Sequence, residues 1–420
     1  MLENIQNVLN VPEFRKRAVF TLIMFVIFRL GVHIPVPGVD SSVIENLFSS
    51  GNLFGLLDLF AGGALSKFSV LAMSITPYIN ASIIMQLLTA VVPTFEQWAK
   101  DNQEGRDKIQ KVTRYGTVVL ALIQAFAMSY ALKVNNALIV DSWAMVVMVS
   151  LILTAGTCFL MWLGDQITAG GIGNGISLII FAGIVARFPQ ECMTIYKYIQ
   201  AGSITIFQAL LFAVIALFMI VVVIEVTQGQ RRVTVQYAKR IVGRKMYGGH
   251  STHIPLKVNQ AGVIPIIFAS SVLMFPITIA QFVQNDTIQW IASFFAWGTV
   301  TNTVMYALLI MFFTYFYTAI SLNIPQLTEN MQKYGGFIPG IRPGQPTAMY
   351  IDRIMTRITL AGAFFLAFIA ILPNFIGWIT GIEGVYFGGT AILIVVGVAI
   401  DTMKQAESLV LNRQYQGFMK

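Results

Sequence analysis

Ten long apolar runs dominate this chain, at about 18–35, 69–92, 113–133, 143–164, 174–189, 205–226, 261–283, 304–324, 357–378 and 387–403. Each approaches the roughly 20 residues that a helix needs to cross the hydrocarbon core of a bilayer. In lipid every backbone N–H and C=O must find its partner inside the protein, and a continuous apolar run does so as a helix. A membrane barrel would need strands alternating apolar and polar residues, and these runs do not alternate. Charge is scarce: 11% of the 420 residues, against roughly 25% in a soluble domain, with 56% hydrophobic. So few charges cannot wet the surface of a soluble protein this long. The same composition excludes a coiled coil, a disordered chain and a disulfide scaffold. Cys158 lies inside a run and Cys192 between runs, so no disulfide framework or CxxC site follows. The first run has no small-residue cleavage site after it and reads as a span rather than a signal peptide.

The basic residues set an orientation. Of 27 lysines and arginines, 22 fall in the N-terminal segment, the loops after spans two, six and eight with the mouth of span nine, and the C-terminal tail. Four fall on the other side: Lys67, Lys133, Arg187 and Lys197. Arg29 is inside span one. By the positive-inside rule both termini are cytoplasmic. The net charge of +8 is therefore first a topology signal. Ten spans with both ends on one side divide into five and five, at 1–200 and 201–420. An odd number of crossings inverts the second half, which suggests inverted repeats flanking a pathway, although the halves share no convincing sequence identity.

Four segments do not fit a plain bundle. Residues 52–68, NLFGLLDLFAGGALSKF, are apolar but too short to span and are broken by Gly62-Gly63. They read either as an amphipathic helix lying on the membrane or as a short re-entrant helix that acts as a stopper. Residues 169–175, AGGIGNG, resemble a phosphate loop only superficially. No strand precedes them and no Lys-Ser/Thr follows, so they read as a tight turn between two spans. In the loop over 227–257, the alternation in RRVTVQY predicts a strand of a short hairpin. Its dense positive charge serves topology and anionic lipid on one reading, and docking of RNA or an acidic protein surface on the other. In the loop over 325–353, Arg342 stands between Gly340-Ile341 and Pro343-Gly344, so it is presented on a constrained turn.

The spans lack the acidic and histidine side chains that an ion-coupled transporter keeps at the midplane. Arg29 is the exception among charges, and its long side chain can reach toward an interface. HExxH, a Walker loop, the GxSxG elbow and a potassium-filter signature are absent. No enzyme, cofactor or metal site is expected. What remains suits passage of something bulky and varied, delivered by a partner on the basic side. A small-solute transporter with inverted repeats is the alternative.

Several long stretches resemble one family in the right order. They are RLGVHIPVPGVD at 29–40, LFAGGALSKFSVLAMSITPYINASIIMQLL at 59–88, GIGNGISLIIFAGIVA at 171–186, GQRRVTVQYAKR at 229–240, STHIPLKVNQAGVIPIIFASS at 251–271, PGIRPG at 339–344 and YFGGTAILIVV at 386–396. The chain resembles the SecY family of protein-translocase channel subunits over essentially its whole length. The resemblance implies an all-α polytopic fold, ten helices in two inverted five-helix halves around a central pore. It implies a pore ring at Ile79, Ile83, Ile176, Ile180, Ile267 and Ile394. Read alone, each is an isoleucine in a membrane helix, although Ile79/Ile83 and Ile176/Ile180 each share one helix face. It implies a plug that includes Leu57, Asp58, Phe60, Gly62, Gly63, Leu65 and Lys67, and a lateral gate between spans two and seven. It implies docking of the SecA motor ATPase or the ribosome, through rRNA and ribosomal protein, at Arg231, Arg232, Lys239, Arg240, Arg244 and Arg342. SecE and SecG would be membrane partners. Secretory preproteins, signal peptides and the lipid bilayer would be the ligands, and the bacterial cytoplasmic membrane the location.

Overall fold

The structure, a computed structural model, describes residues 12–40, 62–101, 103–134, 136–237, 240–242, 245–247, 251–282, 290, 293–295, 299–380 and 388–418. The described chain is mainly helical, with one three-stranded sheet, one short hairpin and non-helical segments between elements. In order it runs through α1 (Pro12–Val32), α2 (Thr76–Val91), α3 (Pro93–Lys100), α4 (Gln103–Val134), α5 (Trp143–Gly170), α6 (Gly175–Gln200) and α7 (Ile206–Gln228). Then come β1 (Gln230–Tyr237), β2 (Arg240–Val242), β3 (Lys245–Tyr247) and β4 (Ser251–Lys257). The chain continues with α8 (Ile264–Phe282), α9 (Val300–Ser321), α10 (Ile324–Lys333), β5 (Gly336–Phe337), α11 (Gln345–Thr380) and α12 (Gly389–Phe418).

Local chemistry explains many of the helix starts. Ser142, Asn174, Thr299 and Asn323 each accept a backbone N–H at the start of α5, α6, α9 and α10. Thr205 and Gln208 form a reciprocal capping box on α7. Such caps satisfy N–H groups that have no intrahelical partner and stabilise a helix by about 1 kcal/mol each.

A helix lies at each of the ten expected positions. Seven described helical stretches are long and apolar enough to cross a bilayer on their own, and the bent pair α2–α3 makes an eighth. α1 carries Arg15, Lys16, Arg17 and Arg29 within its 21 residues, and α8 contributes a shorter apolar helix over Ile264–Leu273. Two boundaries differ from the sequence reading. Span two is not helical from 69. Residues 62–75 form a turn-rich strap, and the helix begins only at Thr76. Phe68 and Ser74 take positive φ angles of 42° and 52°, which a right-handed helix cannot include. Pro77 lies in the first turn of α2, where its missing N–H costs nothing. Pro93 then starts α3 across a bend of 104°. Span five, in turn, does not stop near 189. α6 continues through Pro189 to Gln200, and Arg187 pairs with Glu191 at 3.8 Å across the turn that contains the proline.

Two apolar clusters fill the membrane part. The first joins Phe28 and Val32 of α1, Leu65, Phe68, Leu71 and Ile75 of the strap, Leu160 and Ile167 of α5, and Ile180 and Ile184 of α6. The second joins α7, α8, α9 and α11 through residues such as Val223, Ile266, Ile310 and Leu366. α12 serves both. Ala391 and Ile394 enter the first cluster, while Ile392, Val396 and Ile400 enter the second. The spacings of three and four explain how one helix divides its faces this way. Lipid supplies no hydrophobic drive between helices, so close backbone approach matters more. Gly175 of α6 packs on the Gly164 carbonyl of α5, and Gly156 of α5 packs on the Val70 carbonyl of the strap. Neither position has room for a Cβ.

Candidate functional site

The strap of residues 62–75 is irregular backbone within the bundle, and it is closely tied to residues 34–36, which follow α1. The Val36 N–H donates to the Phe68 carbonyl at 3.0 Å and the Val70 N–H to the Ile34 carbonyl at 2.9 Å. Within the strap, the Ser69 N–H donates to the Ala64 carbonyl at 2.8 Å. Leu71 fills the space beside Gly31, where a Cβ would come within 2.6 Å of its Cδ1. Ala64, Leu65, Phe68 and Leu71 are buried. Arg29 finds a partner within the protein. Its Nη1 donates to the Gly62 carbonyl at 2.9 Å.

Four of the six candidate ring residues belong to or border one apolar cluster. Ile180 and Ile394 are 7% and 3% exposed and share the first apolar cluster with Leu65, Phe68 and Ile75 of the strap. Ile79 and Ile176 pack against that cluster, partly buried. Ile83 and Ile267 are partly buried and lie outside it. The seam between α2 and α8 carries a polar link as well. Ser271 Oγ donates to Asn80 Oδ1 at 3.1 Å, which bridges the two helices. A hydrogen bond of this kind contributes about 1 kcal/mol net.

The two basic loops fold into one body. β1 pairs antiparallel with β4, from Gln230 opposite Lys257 to Gln236 opposite Ser251, as the alternation in RRVTVQY predicts. β5, from the second loop, adds to the free edge of β1 with Gln236 opposite Phe337 and Tyr237 opposite Gly336. Val233, Val235 and Leu256 form a buried cluster with Met331 of α10, Ile338 of the turn, and Ile351 and Met355 of α11. α11 makes this possible by its length. Its 36 residues reach about 54 Å, against roughly 30 Å of hydrocarbon, so one end projects from the bilayer and holds the body.

On that body Arg231, Arg232 and Arg342 are exposed. Arg342 lies on a tight turn closed by the Ile341 N–H to the Ile338 carbonyl at 3.0 Å. Thr347, itself 2% exposed, donates from Oγ1 to the Arg342 carbonyl at 2.8 Å. Gly340 and Gly344 take φ angles of 83° and 98°, which favour glycine on either side of the arginine. Lys333 is held by Glu329 at 2.9 Å. A hydrogen bond from the Lys333 ammonium, with its charge, holds the Glu329 carboxyl below the usual carboxylate range. No described acidic side chain pairs with Arg231, Arg232 or Arg342. The body therefore presents three unneutralised guanidinium groups on a rigid frame, suited to anionic surfaces.

Among the described residues no cluster of three or more His, Cys, Asp or Glu could hold a metal ion. Cys158 is partly buried and Cys192 exposed, both as thiols.

Residues 69–403 match the family model described as SecY. The protein translocase subunit SecY of Halalkalibacterium halodurans is 49% identical over 433 aligned positions, which cover all of both chains. The chain belongs to the SecY family. Solved SecY-type channels share its fold. One is reported under the finding that the plug domain of the SecY protein stabilises the closed state of the translocation channel and maintains a membrane seal. It aligns with a TM-score of 0.63 at 16% identity, covering 94% of this chain and 92% of that one. Another is Sec61 in the canine ribosome–channel complex from the endoplasmic reticulum, with a TM-score of 0.59, 16% identity and the same coverage. This SecY-family chain is thus a helical, multi-pass membrane protein with a channel fold.

Of the residues that the SecY resemblance assigns to the plug, Leu57, Asp58 and Phe60 lie outside the described residues. Gly62, Gly63, Leu65 and Lys67 belong to turns rather than to a helix, because Gly62 and Gly63 both adopt positive φ angles. Lys239 and Arg244 also lie outside the described residues, and Arg240 is described only as the start of β2. Sequence reasoning missed three features: the acceptor of Arg29, the Asn80–Ser271 link, and the joining of the two basic loops. Polar residues in the middle of apolar runs, such as Asn80, were the available signal.

Proposed function

We propose that this chain is the channel subunit of a bacterial protein translocase. It passes unfolded secretory polypeptides across the cytoplasmic membrane and releases membrane helices sideways into lipid. Ten spans in two inverted halves, 1–200 and 201–420, surround the path, with both termini in the cytoplasm. Ile79, Ile83, Ile176, Ile180, Ile267 and Ile394 ring its narrowest point. Flexible apolar side chains there close around a moving chain and, in its absence, exclude water and ions by dewetting. The segment around Leu57–Lys67 acts as the plug, and α2 and α8 form the lateral gate. The channel does no chemistry. Energy comes from the SecA ATPase or the translating ribosome, docked on the basic body through Arg231, Arg232, Lys239, Arg240, Arg244 and Arg342. SecE and SecG complete the membrane complex.

The observation that supports this reading is that Ile180 and Ile394 belong to one apolar cluster with Leu65 of the strap and that Ile79 and Ile176 pack against it, so that three helices contribute. Family membership removes the support for a small-solute transporter. The test is cross-linking of a stalled secretory chain to single cysteines at the six isoleucines, in a background without Cys158 and Cys192. Adducts at the ring are expected. Adducts confined to lipid-facing control positions would defeat the channel reading.

A further inference from the structure

At the end of the bundle that carries the basic body, α9, α10 and α11 enclose a cleft of about 380 Å³. That size lies within the range of small-molecule sites. Its walls are mainly apolar: Ala319 and Leu322 of α9, Ile324 of α10, and Ala348, Met349 and Met355 of α11. Met355 is 3% exposed and Met349 59%, so the cleft runs from a buried floor to an open mouth. The α9 wall belongs to the apolar run that ends near 324, whereas Ala348 and Asp352 precede the run that opens at 357. The cleft therefore straddles the boundary between hydrocarbon and headgroups, where lipid is the surrounding solvent.

The polar groups on its walls are unequal. Thr318 Oγ1 donates to the Thr314 carbonyl at 2.7 Å, Thr356 Oγ1 to the Asp352 carbonyl at 2.9 Å, and Tyr315 Oη to the Thr356 carbonyl at 3.4 Å. These three hydroxyls direct their hydrogens to the protein's own backbone. Asp352 is different. It is the one charged residue in the lining, it is exposed, and it forms no ion pair among the described residues. Arg353 follows it, also exposed and also without an ion pair among the described residues. Successive residues on a helix do not face each other, so the two charges do not neutralise one another.

An ionised carboxylate only accepts hydrogen bonds, and above an apolar cleft it selects a cationic donor on an apolar tail. A guanidinium beside it suits a phosphate. We propose that the cleft is a binding site for an aminophospholipid, with an acyl chain between α9 and α11, the primary ammonium on Asp352 and the phosphate on Arg353. A phosphatidylglycerol head brings no cation to Asp352. A phosphatidylcholine head brings the charge without an N–H to donate. Such a site does not depend on the channel reading.

The test has two arms. In the first, the complete translocase complex in detergent is equilibrated with equal amounts of phosphatidylethanolamine and phosphatidylcholine, and native mass spectrometry reads which is retained. Thermal melting confirms that each variant is folded. The unaltered complex should favour phosphatidylethanolamine by roughly ten-fold, or about 1.4 kcal/mol, which a single charge-assisted hydrogen bond can supply. Asp352→Asn should erase that preference while both lipids still bind. Arg353→Gln should weaken both lipids alike and keep the preference. Equal retention of the two lipids by the unaltered complex overturns the site, as does a preference that survives Asp352→Asn. In the second arm, benzoylphenylalanine replaces Ala319 and is photolysed in intact membranes. A phospholipid adduct is expected. An adduct to a polypeptide, or none to lipid, means that something else covers the cleft and overturns the proposal.

Discussion

The union of the two basic loops makes Leu256→Ala an informative perturbation. Leu256 is 2% exposed on β4, in the first loop, and packs in the cluster that holds Ile338 and Met355 of the second. Truncating a buried leucine destabilises by about 2–5 kcal/mol, the lost transfer energy plus a cavity contribution. At about 1.4 kcal/mol per factor of ten, local opening of the body rises roughly thirty-fold to a few thousand-fold. If the loops are one cooperative unit, the effect crosses from the first to the second. The Gly336–Tyr237 pairing and the turn that presents Arg342 should lose protection along with β1 and β4. Hydrogen exchange with mass spectrometry, on the protein in lipid nanodiscs, reads peptides over 230–257 and 336–347 separately. Faster exchange in both is expected, with slower SecA-driven export at unchanged channel abundance. Faster exchange over 230–257 with full protection over 336–347 would refute the single body.

Three further outcomes follow from the site. Arg342→Glu reverses a charge held on a rigid turn and should abolish SecA-driven export from inverted vesicles; transport at the normal rate would show that the turn is not a contact. Replacing Ile394 with Asn places an amide at a 3% exposed position of the apolar cluster, which should raise ion conductance and let poorly targeted substrates through. Silent bilayer recordings with unchanged signal-sequence stringency would count against the ring. Asn80→Ala removes the acceptor of Ser271 and weakens the α2–α8 seam by about 1 kcal/mol, so weak signal sequences should be exported several-fold better. If Ser271→Ala in the Asn80→Ala background adds as much as it does alone, the two side chains are not coupled.

Much of the scaffold was legible before any coordinates, and the boundaries that failed did so for local reasons. Apolar runs located the helices because lipid requires each span to satisfy its own backbone. They misplaced the start of α2 because hydropathy does not register a strap: Phe68 to Ile75 are as apolar as a helix but carry two positive φ angles. The hairpin was legible from the alternation in RRVTVQY, since a period of two is a local property of a strand. Its third strand was not, because Gly336-Phe337 is two residues long and acquires its meaning only from Tyr237 across the gap. For the isoleucines, the spacing of 79/83 and 176/180 established shared faces, but no periodicity says which face meets which.

Membrane class, helix positions and the expected orientation therefore belong to the sequence, because each depends on the composition of one segment and the solvent it meets. The division of α12 between two cores, the joining of the basic loops and the Arg29–Gly62 bond belong to the folded chain. Each is a contact between residues far apart in sequence, and its energy exists only once the intervening segments have brought the partners together.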